Sequence, residues 1–159
     1  YYSLIYPFLL YAIPICGNSC TSFINPLHLL QKKVVRLITF SSYYAHSEPL
    51  FKLLNILKIY DIYKLETLKF VHACINKTNP SLFHNYYLFC NSNHNTRSIR
   101  EKLLITPQPR TLTYGLKSLK YNGVILWNDL PLVQRLLISA KQFIYKVKNQ
   151  IIISYSNIV

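Results

Sequence analysis

One tryptophan, Trp127, sits at the centre of residues 121–131, YNGVILWNDLP. The stretch also holds one of only three glycines, Gly123, and stops hard at Pro131. An isolated tryptophan is a packing anchor: its ring buries a large area, and its indole N–H seeks one partner. Val124, Ile125 and Leu126 precede it, so the run points into a core. Asn128, Asp129 and Pro131 then supply turn chemistry, because short polar side chains and a fixed φ favour leaving regular structure. On residue types the segment is a core plug followed by a turn, with Trp127, Asn128 and Pro131 in structural roles.

Around that plug the chain has the material for a real core. Its 159 residues suit one domain or two small halves, and 51% of them are hydrophobic against 14% charged, which argues against disorder. No methionine is present, and the chain begins YYSLIYPF; the expectation is a fragment of something longer. Eighteen Lys and Arg face five acids, a net charge of +13. Such an excess repels itself unless it meets a polyanion, with nucleic acid the first candidate and an anionic membrane the second. The charge is unevenly placed: residues 1–31 contain no Lys, Arg, Asp or Glu.

Residues 1–16 are almost wholly apolar but shorter than the roughly 20 residues of a membrane span, and Pro7 and Pro14 interrupt them. They read as a buried helix, bent or broken near its prolines; a membrane-associated segment is the alternative. Asn25-Pro26 reads as a helix start, followed by an inward stripe of Leu27, Leu30, Val34, Leu37 and Ile38. Lys32, Lys33 and Arg36 fall off that stripe, either solvated or compensated by an anion. Ser47-Glu48-Pro49 starts a short helix with Leu50, Leu53 and Leu54 inward. A longer helix over 61–76 carries apolar residues on more than one side, and Asn79-Pro80 ends it as a turn or restarts a brief helix through Leu82 and Phe83. The polar run NSNHN at 91–95 is the best internal boundary. Residues 103–105 and 116–121 suggest two short strands pairing as a hairpin. Ser139 can cap a final helix with Phe143, Ile144, Val147 and Ile151 on one side and Lys141, Lys146 and Lys148 on the other. The fold class expected is mainly α: an irregular helical bundle with room for one small β-hairpin.

Catalytic constellations are missing. The only aspartates are Asp61 and Asp129, no two acids are adjacent, and no glycine-rich phosphate loop exists. Two-metal nucleotidyl transfer needs carboxylates converging on a pair of cations. Cys16 and Cys20, with His28 following, are a weak zinc hint without a second tight ligand pair; Cys16, Cys20, Cys74 and Cys90 read better as free thiols. Arg97, Arg100, Lys102 and Arg110 could contact phosphates, and Tyr114 and Tyr121 could stack on bases. Equally, Arg97 could hold a loop through backbone carbonyls while the tyrosines sit in the core.

The ordered set YYSLIYPFLLYAI, GN, LQKKVVRLITFS, HSEPLFKLLNILKIYDIYKL, HNTRS and GVILWNDLP, closed by a basic helix, resembles the carboxy-terminal part of reverse transcriptases from non-LTR (LINE-type, Jockey-like) retrotransposons. The likeness covers nearly the whole chain. It implies a thumb-like helical region at 1–90, lying along a template–primer duplex, and a carboxy-terminal extension at 91–159 with the LWNDLP segment and the final basic helix. It implies nucleic-acid contact for Lys32, Lys33 and Arg36 on the thumb helix. Arg97, Trp127 and Asn128 match recurrent positions whose roles look architectural. Cys16 stands where the family often has tryptophan and Val124 where it often has proline, which hints at a drifting copy. The family's Asp-Asp motif, and the Mg it binds, belong to a palm upstream of Tyr1, so this chain alone is expected to need no cofactor and to be inactive as a polymerase. The partners implied are RNA or an RNA–DNA hybrid and the palm, with no membrane; the location implied is intracellular, nuclear or cytoplasmic, and not secreted. Two alternatives stand beside this reading: a membrane-associated basic protein, and a decayed retroelement fragment without selected function.

Overall fold

The computed structural model describes residues 1–11, 13–91, 96–111 and 114–155. Among them the chain is mainly helical, with α1 (Tyr6–Leu10), α2 (Ile13–Cys16), α3 (Thr21–Ile38), α4 (Ser47–Leu53), α5 (Ile59–Ile75), α6 (Arg97–Arg100), α7 (Leu119–Asn128), α8 (Leu132–Arg135) and α9 (Ala140–Ser154); a 3₁₀ turn, Ser81–Phe83, comes after α5. No helix of the described residues is long and apolar enough to cross a membrane. Residues 92–95 of the expected boundary lie outside the described residues. By contacts the chain divides into two compact units, 1–63 with 146–159, and 64–145.

The first unit is organised by a buried amide. Ile24, Gln31 and Val35 are the buried residues of α3, spaced as one helical face. Gln31 Nε2 donates to Leu57 O and to Tyr1 Oη, each at 2.8 Å, while its Oε1 accepts from Ile59 N at 3.0 Å. A buried backbone group left unpaired costs about 1–3 kcal/mol, so the face that satisfies residues 57 and 59 is the one that turns inward. The expected inward stripe is thereby corrected: Leu27, Leu30, Leu37 and Ile38 are exposed. Pro26 does not start α3 either; it lies inside the helix, where it has no N–H to offer the preceding turn.

Val35, Phe51, Ile56 and Tyr155 form the core cluster, with Tyr1, Leu50, Leu54 and Ile151 packed against it. In α4 it is Phe51 that is buried, and Leu53 faces out, against expectation. Tyr155 Oη donates to Asp61 Oδ2 at 2.5 Å and accepts from Lys58 N at 3.1 Å. Burial, then the Asp61 carboxylate, holds the Tyr155 hydroxyl protonated far above its usual range. Residues 1–16 are not one buried helix. Their prolines leave two short helices, of which only Ile13 is buried, while Leu4, Phe8, Tyr11 and Ile15 are exposed. Where α2 ends, Gly17 lies so close to Tyr63 that a Cβ would stand 2.5 Å from its ring.

The second unit is held by rings. Trp127 and Phe143 pack with centroids 5.9 Å apart, and His72 stacks on Phe143 at 4.5 Å. Val71, Tyr87 and Val124 are buried in the same unit. Gly123 permits the approach of α7 to α5, since a Cβ there would meet Tyr87 Oη at 2.3 Å and Val71 Cγ2 at 2.9 Å. Helix α5 is buried on several sides, as its pattern implied. The expected hairpin takes a different form. Residues 103–105 do pair, but with 88–90: Leu104 bridges Phe89, Cys90 N donates to Leu103 O and Ile105 N to Leu88 O. Residues 119–121 instead begin α7, because Ser118 Oγ caps it by accepting Tyr121 N at 3.2 Å.

Candidate nucleic-acid interface

Lys32, Lys33 and Arg36 lie in the second half of α3, where positive charge complements the negative end of the helix dipole. Lys33 is exposed, Lys32 half-buried. Arg36 is half-buried, and its Nε donates to Ala45 O at 2.9 Å. That bond fixes the guanidinium while leaving its other nitrogens for a further acceptor.

The segment after α3 brings rings to these cations. Ser41 N donates to Arg36 O at 3.0 Å and Phe40 N to Leu37 O at 3.2 Å, the paired bonds of a Schellman stop. Its left-handed position, usually glycine, is Phe40 at φ 50°, and that ring is 96% exposed. Lys33, Arg36, Leu37, Phe40, Ser41 and Tyr43 line one open groove of about 460 Å³. Tyr43 and Tyr44, both exposed, meet edge to face at 5.3 Å. Among the described residues no acid lines the groove. Cations that can take phosphate oxygens, beside flat faces that can take bases, are the two halves of nucleotide recognition. The sequence pattern pointed to the cations and not to Phe40 and Tyr43. The signal lay in TFSSYY, an aromatic cluster within one turn and a loop of Arg36.

The second predicted group is less free. Arg97 Nε lies 2.6 Å from Glu101 Oε1, and this contact, aided by Arg135 and outweighing the opposite effect of burial, holds the Glu101 carboxyl below its usual range. Arg97 is thus a carboxylate partner, and the residue that binds backbone carbonyls is Arg135. Buried Arg135 donates from Nε to Leu130 O at 2.9 Å and from Nη1 to Glu101 O. Arg100 and Lys102 are exposed. Arg110 and Tyr121 line a separate shallow groove of about 360 Å³ with Pro107 and Pro109, and Tyr114 is exposed.

The structural residues behave as architecture. Trp127 is fully buried, and its indole N–H has no partner among the described residues. Asn128 accepts Leu104 N at 2.9 Å and donates to Leu104 O at 3.1 Å, so its amide replaces a missing strand. Pro131 precedes α8 and its carbonyl accepts from Gln134 N and Arg135 N. Cys16, Cys20, Cys74 and Cys90 form no disulfide, and among the described residues no group of three or more His, Cys, Asp or Glu could hold a metal ion. No family model matches the chain, and no curated protein or solved structure matches it.

Proposed function

We propose that this chain is the thumb and carboxy-terminal extension of a non-LTR retrotransposon reverse transcriptase, a non-catalytic part of an RNA-directed DNA polymerase that grips RNA or an RNA–DNA hybrid by its phosphates. The observation that carries the reading is the groove at the end of α3, where Lys33 and Arg36 stand beside Phe40 and Tyr43 with no acid among the lining residues. The net charge of +13 supports it, since a polyanion relieves the self-repulsion. Lys32 adds to the field from the same helix, and Arg100 and Lys102 are accessible for further phosphate contact.

Binding of this kind releases counterions. Three neutralised phosphates give a slope of roughly −3 in log affinity against log salt. Titration of an RNA–DNA hybrid with the chain between low and physiological salt tests this; a flat response removes the reading. Lys32→Ala with Lys33→Ala weakens binding to every sequence alike, because phosphate contacts carry no base information.

A second reading has its own observation. Leu4, Phe8, Tyr11 and Ile15 are exposed in and beside α1 and α2, and Phe23, Leu27 and Leu30 along α3. Exposed apolar side chains repeated along one helix face, as Phe23, Leu27 and Leu30 are, mark an interaction face. On the proposed identity its partner is the polymerase palm; the competing partner is an anionic bilayer surface. Co-sedimentation with phosphatidylserine vesicles separates the two, because palm docking predicts no pelleting.

A further inference from the structure

We infer that the groove at the end of α3 receives an unpaired nucleotide, with its base stacked on Phe40 and Tyr43 and its phosphate held by Lys33 and Arg36. The inference rests on the nucleic-acid reading and adds a substrate class to it: single-stranded segments and strand ends, not the interior of a duplex.

Among the described residues, four helices end in the same way, with a non-glycine residue in the left-handed region: Phe40, Asn55, Lys77 and Lys102, at φ between 50° and 55°. None of the described glycines has positive φ. Side chains other than glycine are strained there, and asparagine least. Lys77 and Lys102 are long, polar and solvated. Phe40 is the exception, because it alone of the four is apolar, and its ring is nearly bare to solvent with no core contact to offset the strain. Strain kept without a packing return marks a position held for contact with something else.

The shape of that contact is set by the neighbours. Phe40 and Tyr43 present rings, Leu37 an apolar wall, and Ser41 a hydroxyl, while Lys33 and Arg36 supply the only charges of the lining. The Arg36 bond to Ala45 O ties the helix to residue 45, across the segment that carries Tyr43 and Tyr44. A flat, anion-linked ligand matches this set. Bases inside a duplex have both faces covered by their neighbours, so a protein ring can reach a base face only where a strand is unpaired or ends.

The test compares a single-stranded RNA 12-mer with an abasic phosphodiester strand of equal length, each titrated against the full chain at fixed salt. The parent chain binds the base-bearing strand more tightly, by roughly 5- to 150-fold for one stacked base. Phe40→Gly removes most of that difference and leaves abasic binding unchanged; Phe40→Tyr keeps it. Lys33→Ala weakens both strands together. Thermal melting of Phe40→Gly at or above the parent midpoint shows the fold intact. If Phe40→Gly binds the base-bearing strand as the parent does, while Lys33→Ala still weakens both, the stacking inference falls and phosphate gripping stands. If neither variant matters and salt has no effect, the parent reading falls first. Loss of vesicle binding in Phe40→Gly with RNA binding untouched overturns the inference in favour of a lipid contact.

Discussion

The two units draw their most buried polar bonds from different side chains. In residues 64–145 two of the four arginines are claimed by the chain itself: Arg97 pairs with Glu101, and Arg135 closes on two backbone carbonyls. In residues 1–63 with 146–159 the interior is stitched by neutral and acidic groups, Gln31 and the Tyr155–Asp61 pair, while Lys33 stays in solvent. Charge count alone therefore does not mark an interface. A cation becomes a candidate when no carboxylate of the same chain claims it and when exposed rings stand beside it. By that criterion the end of α3 qualifies and α6 largely does not.

If rings hold the second unit, Trp127→Ala is the most damaging change, at about 4 kcal/mol from lost burial plus the cavity left behind, read by chemical denaturation. Trp127→Phe costs far less, because the indole N–H it removes has no partner among the described residues; a loss as large as that of Trp127→Ala would show that shape, not ring burial, is decisive. If hydrogen bonds hold the first unit, Gln31→Leu costs about 3 kcal/mol although it adds apolar surface, since it strands Leu57 O and Ile59 N. A neutral result there would erase the contrast between the units. Phe40→Gly should stabilise by about 1 kcal/mol, the relief of a left-handed side chain, partly offset by the flexibility glycine adds to the unfolded chain.

The smallest expected effect is on pH. Burial first, then the nearby Lys32, holds the His28 imidazole below its ordinary value of 6.5. The folded state thus prefers the neutral ring, and the unfolded chain binds the proton more readily. Stability is full above about pH 6.5 and declines as pH falls from there toward the folded value. Denaturation midpoints at pH 7.5 and 5.5 measure the drop, and His28→Phe should flatten it.

Helix content was legible because apolar residues recur at helical spacing throughout, and α5 and α9 fell close to their expected spans. Which face turns inward was not. Helix α3 carries two apolar stripes, and the choice between them was made by Gln31, whose partners lie 26 and 28 residues away. The partner of residues 103–105 was hidden for the same reason: pairing with 88–90 is a tertiary fact, and the cap that commits 119–121 to a helix is a lone Ser118 with no Glu or Gln three residues on. The cations of the groove were visible as basic letters on a helix. Phe40 was not, because a helix stop is sought at glycine and this chain stops α3 without one. Arg97 looked free because nothing in its own motif reveals that Glu101, one turn on, would take it.

The split arrangement of the first unit has a temporal consequence. Its core includes Tyr155 and Ile151 alongside residues near the beginning of the chain. During synthesis, Val35, Phe51 and Ile56 leave the ribosome long before Tyr155 does. At typical elongation speeds the wait is on the order of ten seconds. Throughout that interval the earlier helices lack Ile151 and Tyr155 from their core, so the nascent chain is open to chaperone capture or misassociation until α9 emerges.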